Sequence, residues 1–146
     1  MRQHQDYPDG FECVWLGVDQ TGAVAAFVTA GEGDIPTALL HQAAVDIFDI
    51  EMMLMELPVV GRAVMHMKVP RDDDGVAMAS RGIHVYDWNR GGYVRFATPA
   101  LAIQHSALSR DLQVLAGLAT FNTIDFRQHA SIPVWALMET TGKPMP

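Results

Sequence analysis

Hydrophobic and polar positions divide this chain into short, well-marked segments. Val14, Leu16 and Val18 alternate with Trp15 and Gly17, and Val24, Ala26 and Val28 alternate with Phe27. A period of two is the mark of a strand. Asp19-Gln20-Thr21-Gly22 lies between the two runs and predicts a tight turn, so the pair reads as a hairpin. Both of its faces are apolar, which places it inside a sheet or under cover on both sides. Gly31-Glu32-Gly33-Asp34 then breaks the pattern, with Asp34 as a helix cap and Pro36 in a first turn. The strongest helical periodicity follows. Leu40, Ala43, Ile47, Ile50, Leu54 and Leu57 step by three and four, and Pro58 ends the run, so the spacing predicts one long helix. Its other flank carries Gln42, Asp46, Asp49, Met53 and Glu56.

Alternation returns over residues 62–69, predicting a strand with one polar face. Asp72 to Arg81 reads as a short helix with aspartates in its first turn and Gly82 at its C-terminal end. A second hairpin is predicted from Ile83–Trp88 and Tyr93–Thr98, joined by Asn89-Arg90-Gly91-Gly92 and closed by Pro99. Ser109 caps a helix whose apolar stripe is Leu112, Leu115, Ala116 and Ala119, and Val134–Met138 reads as a last strand. The strands come as hairpins. The expected fold is therefore α+β: a single domain over residues 1–146, with a mainly antiparallel sheet and helices packed on it. Residues 1–10 and 141–146 are expected to be poorly ordered.

Charge adds an asymmetry. Residues 1–61 hold one base, Arg2, and ten acids, a net charge of −9; residues 62–146 hold nine bases and seven acids, a net charge of +2. The total of −7 argues against nucleic acid as a ligand, because phosphate neutralisation dominates that affinity. A surface of that sign favours a protein partner with a basic surface. The longest uncharged apolar run, Ala23 to Ala30, is far below the roughly 20 residues of a membrane helix, and no secretory signal opens the chain. Cys13 is the single cysteine, which leaves no internal disulfide and points to a reducing, cytoplasmic setting.

Candidate chemistry is sparse. Gly31-Glu32-Gly33 before a helix start has the outline of a phosphate cradle, but lacks the lysine and hydroxyl of a P-loop and carries acids in their place. Asp72-Asp73-Asp74-Gly75 hints at a cation site, yet Pro70 and Arg81 stand where an EF-hand loop needs carboxylates. Six histidines, at positions 4, 41, 66, 84, 105 and 129, show no metal-binding spacing. Folding alone could gather His66 and His84 with an acid such as Asp87, the basis for a small hydrolase or metal-dependent enzyme as an alternative. Ser80 and Ser106 lack a nucleophile elbow, and Cys13 reads as a small apolar group. No cofactor signature emerges.

The predicted long helix is more informative as a surface. Phe48, Met52 and Met55 form a second apolar stripe flanked by Asp46, Asp49 and Glu56. Methionines adapt to a partner, and carboxylates draw a basic one. Tyr86 and Trp88 share a strand face near Arg90 and Arg95, residue types that anchor interfaces. The expected partner-binding set is Asp46, Asp49, Met52 and Glu56, with Tyr86 and Trp88 second. The Phe48–Met52–Met55 stripe also suits a homo-oligomeric module.

Two stretches carry a resemblance. One runs from Trp15-Leu16-Gly17-Val18-Asp19 through Ala25-Ala26-Phe27-Val28-Thr29-Ala30-Gly31 to Ile35-Pro36. The other is Arg81-Gly82-Ile83-His84-Val85-Tyr86-Asp87-Trp88, with Tyr93 and Pro99 beyond it. Together they resemble small bacterial immunity-type proteins encoded beside polymorphic or contact-dependent toxins, by order of elements over about half of the chain. The resemblance implies a cytoplasmic, non-enzymatic protein that binds and blocks one cognate toxin domain.

Overall fold

A computed structural model describes residues 7–42, 45–67 and 73–133. The fold is α+β, with helices packed on an open mixed sheet. Strands β1 (Val14–Asp19) and β2 (Val24–Val28) form the first predicted hairpin, with Gly22 at φ +88° in its turn. Strands β4 (His84–Trp88) and β5 (Gly92–Pro99) form the second. The two hairpins join through a parallel ladder between β2 and β4, from Ala25 opposite His84 to Val28 opposite Asp87. Strand β3 (Ala63–Met65) pairs with one end of β5, and β7 (Ser131–Pro133) with the other. The short β6 (Thr120–Phe121) runs parallel to β1 at the far edge. The order is β3-β5-β4-β2-β1-β6, with β7 beside β5. The predicted strand at Val134–Met138 and the chain ends, 1–6 and 141–146, lie outside the described residues. Residues 7–10 are tied down: the Tyr7 hydroxyl donates to the Gly33 carbonyl at 2.6 Å, and the Gly10 N–H to Gly31 at 2.8 Å.

The long helix expected after Pro36 is two pieces. Helix α1 (Thr37–His41) stops after one turn; a 3-10 turn (Ile47–Asp49) then leads into α2 (Ile50–Leu54). Gln42 is the cause. Its amide nitrogen donates to the carbonyls of Leu39 (3.3 Å) and Val45 (2.5 Å), and its amide oxygen accepts the Val45 N–H at 3.0 Å. A side chain that satisfies backbone groups in this way competes with the helical ladder. Asp46 then accepts the Phe48 N–H at 2.9 Å and starts the second piece. The apolar stripe survives the break: Leu40, Ile47, Ile50 and Leu54 are all buried. Asp34 caps nothing; Pro36 precedes α1 without a side-chain bond. Helices α3 (Asp73–Ala79) and α4 (Arg110–Gly117) fall within or beside the segments expected to be helical, with Gly82 at φ +92° after α3 and Ser109 ahead of α4 making no side-chain cap bond.

Successive residues of a strand point to opposite faces. One face of the sheet is aromatic. Trp15, Phe27 and Tyr86 stand in register on β1, β2 and β4, with ring centroids 4.1 and 5.4 Å apart and planes within 17°. Tyr93, Phe121 and Phe126 pack against Phe27 at 5.2–6.0 Å. The hydroxyls of this layer are spent inside it. Trp15 Nε1 donates to the Tyr93 hydroxyl (3.0 Å), which donates to the Asp34 carbonyl (2.8 Å). The opposite face presents Val14, Leu16, Ala26 and Val85 on the helix side.

A carboxylate ties the first hairpin to the segment after β6. Asp19 Oδ1 accepts the N–H and hydroxyl of Thr21 (2.8 and 2.7 Å) and the N–H of Ala23 (3.0 Å); its Oδ2 accepts the Phe126 N–H at 2.8 Å. Asp19 is 4% exposed. Replacing it by alanine strands buried donors, each worth about 1–3 kcal/mol. Asp19→Ala should therefore lower unfolding free energy in urea by about 3 kcal/mol or more, whereas Asp9→Ala, on the surface, should stay within about 0.5 kcal/mol of the wild type. An Asp19→Ala loss as small as that of Asp9→Ala would show that the carboxylate holds nothing together.

Candidate functional site

The helix-side face of β2 and β4 opens into a cavity of about 430 Å³. Its floor is apolar, from Val28, Val85, Met78 and Phe96. Gly75 in α3 makes room for the Phe96 ring, which a Cβ there would strike. Its polar wall is carboxylate on every side: Glu12 ahead of β1, Asp73 and Asp74 in the first turn of α3, and Asp87 on β4. Among the described residues no base lines it. Glu51 of α2 joins from the flank, where Asp74 and Glu12 act on its carboxyl.

Electrostatics follow from that crowding. Burial, then the charges of Asp74 and Glu12, pushes the Glu51 carboxyl above the usual range. Burial and Glu12 raise Asp87, opposed by the Trp88 backbone N–H. Asp87 and Glu51 are the partly buried members of the set, whereas Glu12, Asp73 and Asp74 are exposed at its mouth. It offers no metal geometry: among the described residues no group of three or more His, Cys, Asp or Glu side chains is placed to hold an ion. An organic cation, such as a lysine or arginine side chain, meets both the acid wall and the apolar floor.

An exposed apolar ridge lies alongside. Phe11, next to Glu12, meets Phe48 edge-on with centroids 6.4 Å apart. Met52, one turn beyond Phe48, completes it. These residues are 67%, 47% and 69% exposed. Asp49, at the end of the 3-10 turn, and Glu56, in the turn after α2, are exposed on either side of Met52 in sequence. Asp46 is half-buried and caps the 3-10 turn beneath them. Met55 turns inward and packs on the core.

Two expected contact residues leave that set. Tyr86 is fully buried, and its hydroxyl lies 3.0 and 2.6 Å from the carbonyls of Phe126 and His129. Its face is the inner aromatic layer, which strand alternation alone cannot tell from an exposed one. Trp88 is half-buried against Tyr93, with centroids 5.1 Å apart, and its Cβ abuts Gly33.

The histidine pair does not assemble. β5 separates β3 from β4, so His66, bonded to Thr98 Oγ1 at 2.9 Å, stands apart from His84. Asp87, three residues from His84, faces the opposite side of the sheet. The glycine loop is no phosphate cradle either. The Glu32 and Gly33 N–H groups both donate to the Thr29 carbonyl (3.1 and 2.8 Å), and Gly31 to the Thr29 hydroxyl (3.3 Å). Cys13 is buried, with its thiol pushed up by burial.

The sequence offered no direct signal for the cavity, because its acids come from four separated segments. The available hint was Val85 and Asp87 in alternation on one strand face with Val28 opposite Asp87. Fold and site together define an α+β domain with an acid-walled cavity beside an exposed apolar ridge. No family model, curated protein or solved structure matches the chain.

The raised Glu51 carboxyl fixes a sign. Its proton is held more tightly in the folded state, so its favourable contribution is complete below the ordinary value of 4.5 and is lost as pH rises through the raised value. Glu51→Gln should be more stable than the wild type at pH 7, by less than about 1 kcal/mol because the group is partly solvated. That advantage should shrink as pH falls toward 4.5 in urea titrations. An advantage that grows on acidification would contradict the crowding of like charge described here.

Proposed function

We propose that this chain is a non-enzymatic, acidic binding protein of the immunity type: a cytoplasmic protein that seizes a basic partner, namely the toxin domain encoded beside it. The observation carrying this reading is the adjacency of two features. An acid-walled cavity with an apolar floor sits next to the Phe11–Phe48–Met52 ridge. A projecting lysine or arginine fits the first, with its stem on Val28, Val85 and Met78 and its charge among Glu12, Asp73, Asp74 and Asp87. The ridge provides the apolar anchor that holds a complex once formed. Asp49 and Glu56 at its rim act earlier, on encounter.

Division of labour between charge and apolar contact has a kinetic consequence. Steering governs association and is screened by salt, while anchors govern dissociation. With the product of the adjacent toxin gene, the wild type should associate quickly at low salt and slow as salt rises. Glu12→Lys with Asp74→Lys should cut the association rate about tenfold at low salt and flatten its salt dependence. Asp46→Lys with Asp49→Lys should act in the same direction. Met52→Glu should chiefly speed dissociation. Surface plasmon resonance across a salt series measures all of these. Absence of tight binding, or an association rate indifferent to both charge reversals, would rule the reading out. If sizing instead finds a dimer that Met52→Glu dissolves, the ridge serves self-association.

A further inference from the structure

A second cavity, of about 360 Å³, opens on the aromatic side of the sheet, at the end of β4 where His84 stands. It goes beyond the partner-binding reading and does not rest on it. Its walls come from the first hairpin turn (Thr21 and Ala23), the segment after β5 (Ala100, Leu101, Ala102 and Gln104) and the turn after β6 (Asp125 and Arg127). These walls are fixed. Asp19 binds Thr21, Ala23 and Phe126 at once, and Arg95 Nη1 donates to the Arg127 carbonyl at 3.0 Å. The Asp125 side chain accepts the Arg127 N–H at 2.9 Å.

An unfilled hydrogen bond marks the place. His84 is 1% exposed, and its Nδ1 is buried with no partner. Buried polar atoms are almost always paired, and leaving one unmade costs about 1–3 kcal/mol. The ring leans on Phe126 on one side, at 5.8 Å, and lines the cavity. Burial first, and then Arg127, brings its pKa down to about 4, so it is neutral at pH 7, with one donor and one acceptor to give. Arg95, whose charge also reaches this ring, has a buried Nε without a partner.

Charges around the cavity have opposite signs. Arg127 provides a guanidinium, suited to two-point contact with a carboxylate, and Asp125 a carboxylate, suited to an ammonium. A lone anion meets Asp125, and a lone cation meets Arg127. Ala100, Leu101 and Ala102 supply an apolar wall. We propose that this cavity binds a small zwitterion of the α-amino-acid class, with its carboxylate on Arg127, its ammonium on Asp125, its side chain on the Ala100–Ala102 wall and the His84 imidazole completing the polar contacts.

L-leucine, 4-methylpentanoate and 3-methylbutylamine share one apolar body and differ in charge, so they separate the cases. Calorimetry gives affinity, and the His84 ring resonances report the place. Leucine should shift those resonances saturably, and each singly charged analogue should bind at least about tenfold more weakly. Arg127→Ala keeps both backbone contacts of residue 127, which spares the fold, and should weaken leucine at least about tenfold. Leucine that leaves the His84 ring undisturbed overturns the proposal. So does 4-methylpentanoate binding as tightly as leucine, or an Arg127→Ala variant with wild-type affinity. None of these outcomes depends on the toxin partner.

Discussion

The parallel ladder between β2 and β4 is the constraint on which the rest depends. Each hairpin alone is a two-stranded ribbon of marginal stability. Paired through Ala25–Val28 and His84–Asp87, they become one sheet whose central strands are covered on both faces. A parallel junction cannot be closed by a tight turn, so the chain must cross over between β2 and β4. That crossover carries α1, α2, β3 and α3, and it brings Glu51, Asp73 and Asp74 above the helix-side face. The ladder also sets the parity of β4. His84 and Tyr86 point into the aromatic layer; Val85 and Asp87 point toward the helices. A one-residue slip would exchange the two sets and abolish both cavities.

Parity also decides what each acid does. Asp19 and Glu12 both belong to the acid-rich first half of the chain, yet they have different fates. Asp19 turns inward and is consumed by four hydrogen bonds, so it contributes fixed geometry rather than a field at the surface. Glu12 joins Asp73, Asp74 and Asp87, all from the half with net positive charge. The charge asymmetry along the chain is therefore not the asymmetry in space. The anionic cavity is assembled across the division, from carboxylates that the fold brings together rather than from the count of acids in one half.

Both hairpins, α3 and α4 were legible in the sequence because their signals are local: alternation, turn residues and a three-and-four stripe. What escaped reading depends on partners distant in sequence. The long helix failed at Gln42, a residue whose helix propensity is good. It interrupts the ladder because its amide reaches Leu39 and Val45, a choice made by packing of the turn. Asp46 two residues ahead of Phe48 was a legible cap, overridden by the continuous apolar stripe on either side. Tyr86 was misplaced for a related reason. Alternation assigns it a face but cannot say that the 126–129 turn covers that face. The acid cavity needs five elements at once, and no spacing rule reaches that far. Asp49, Met52 and Glu56 are exposed, but they come from a 3-10 turn, α2 and the turn after it rather than from the one helix the stripe predicts.

The two cavities express one physical idea in opposite ways. On the helix side, like charges are held together with no base among the described lining residues, so the folded state carries repulsion that a cation would relieve. On the aromatic side, the cavity is lined by His84, whose Nδ1 is buried without a hydrogen-bond partner. The second is a departure from the rule that native structures satisfy their buried groups, and such departures concentrate where proteins bind. The rest of the molecule keeps that rule closely: Trp15, Tyr93, Tyr86 and Asp19 have every contact they need within the fold. Among the described residues, His84 Nδ1 and Arg95 Nε are the buried side-chain atoms without a hydrogen-bond partner, and His84 lines the second cavity. A ligand that gave such an atom its missing bond would stabilise the folded chain by its own binding free energy.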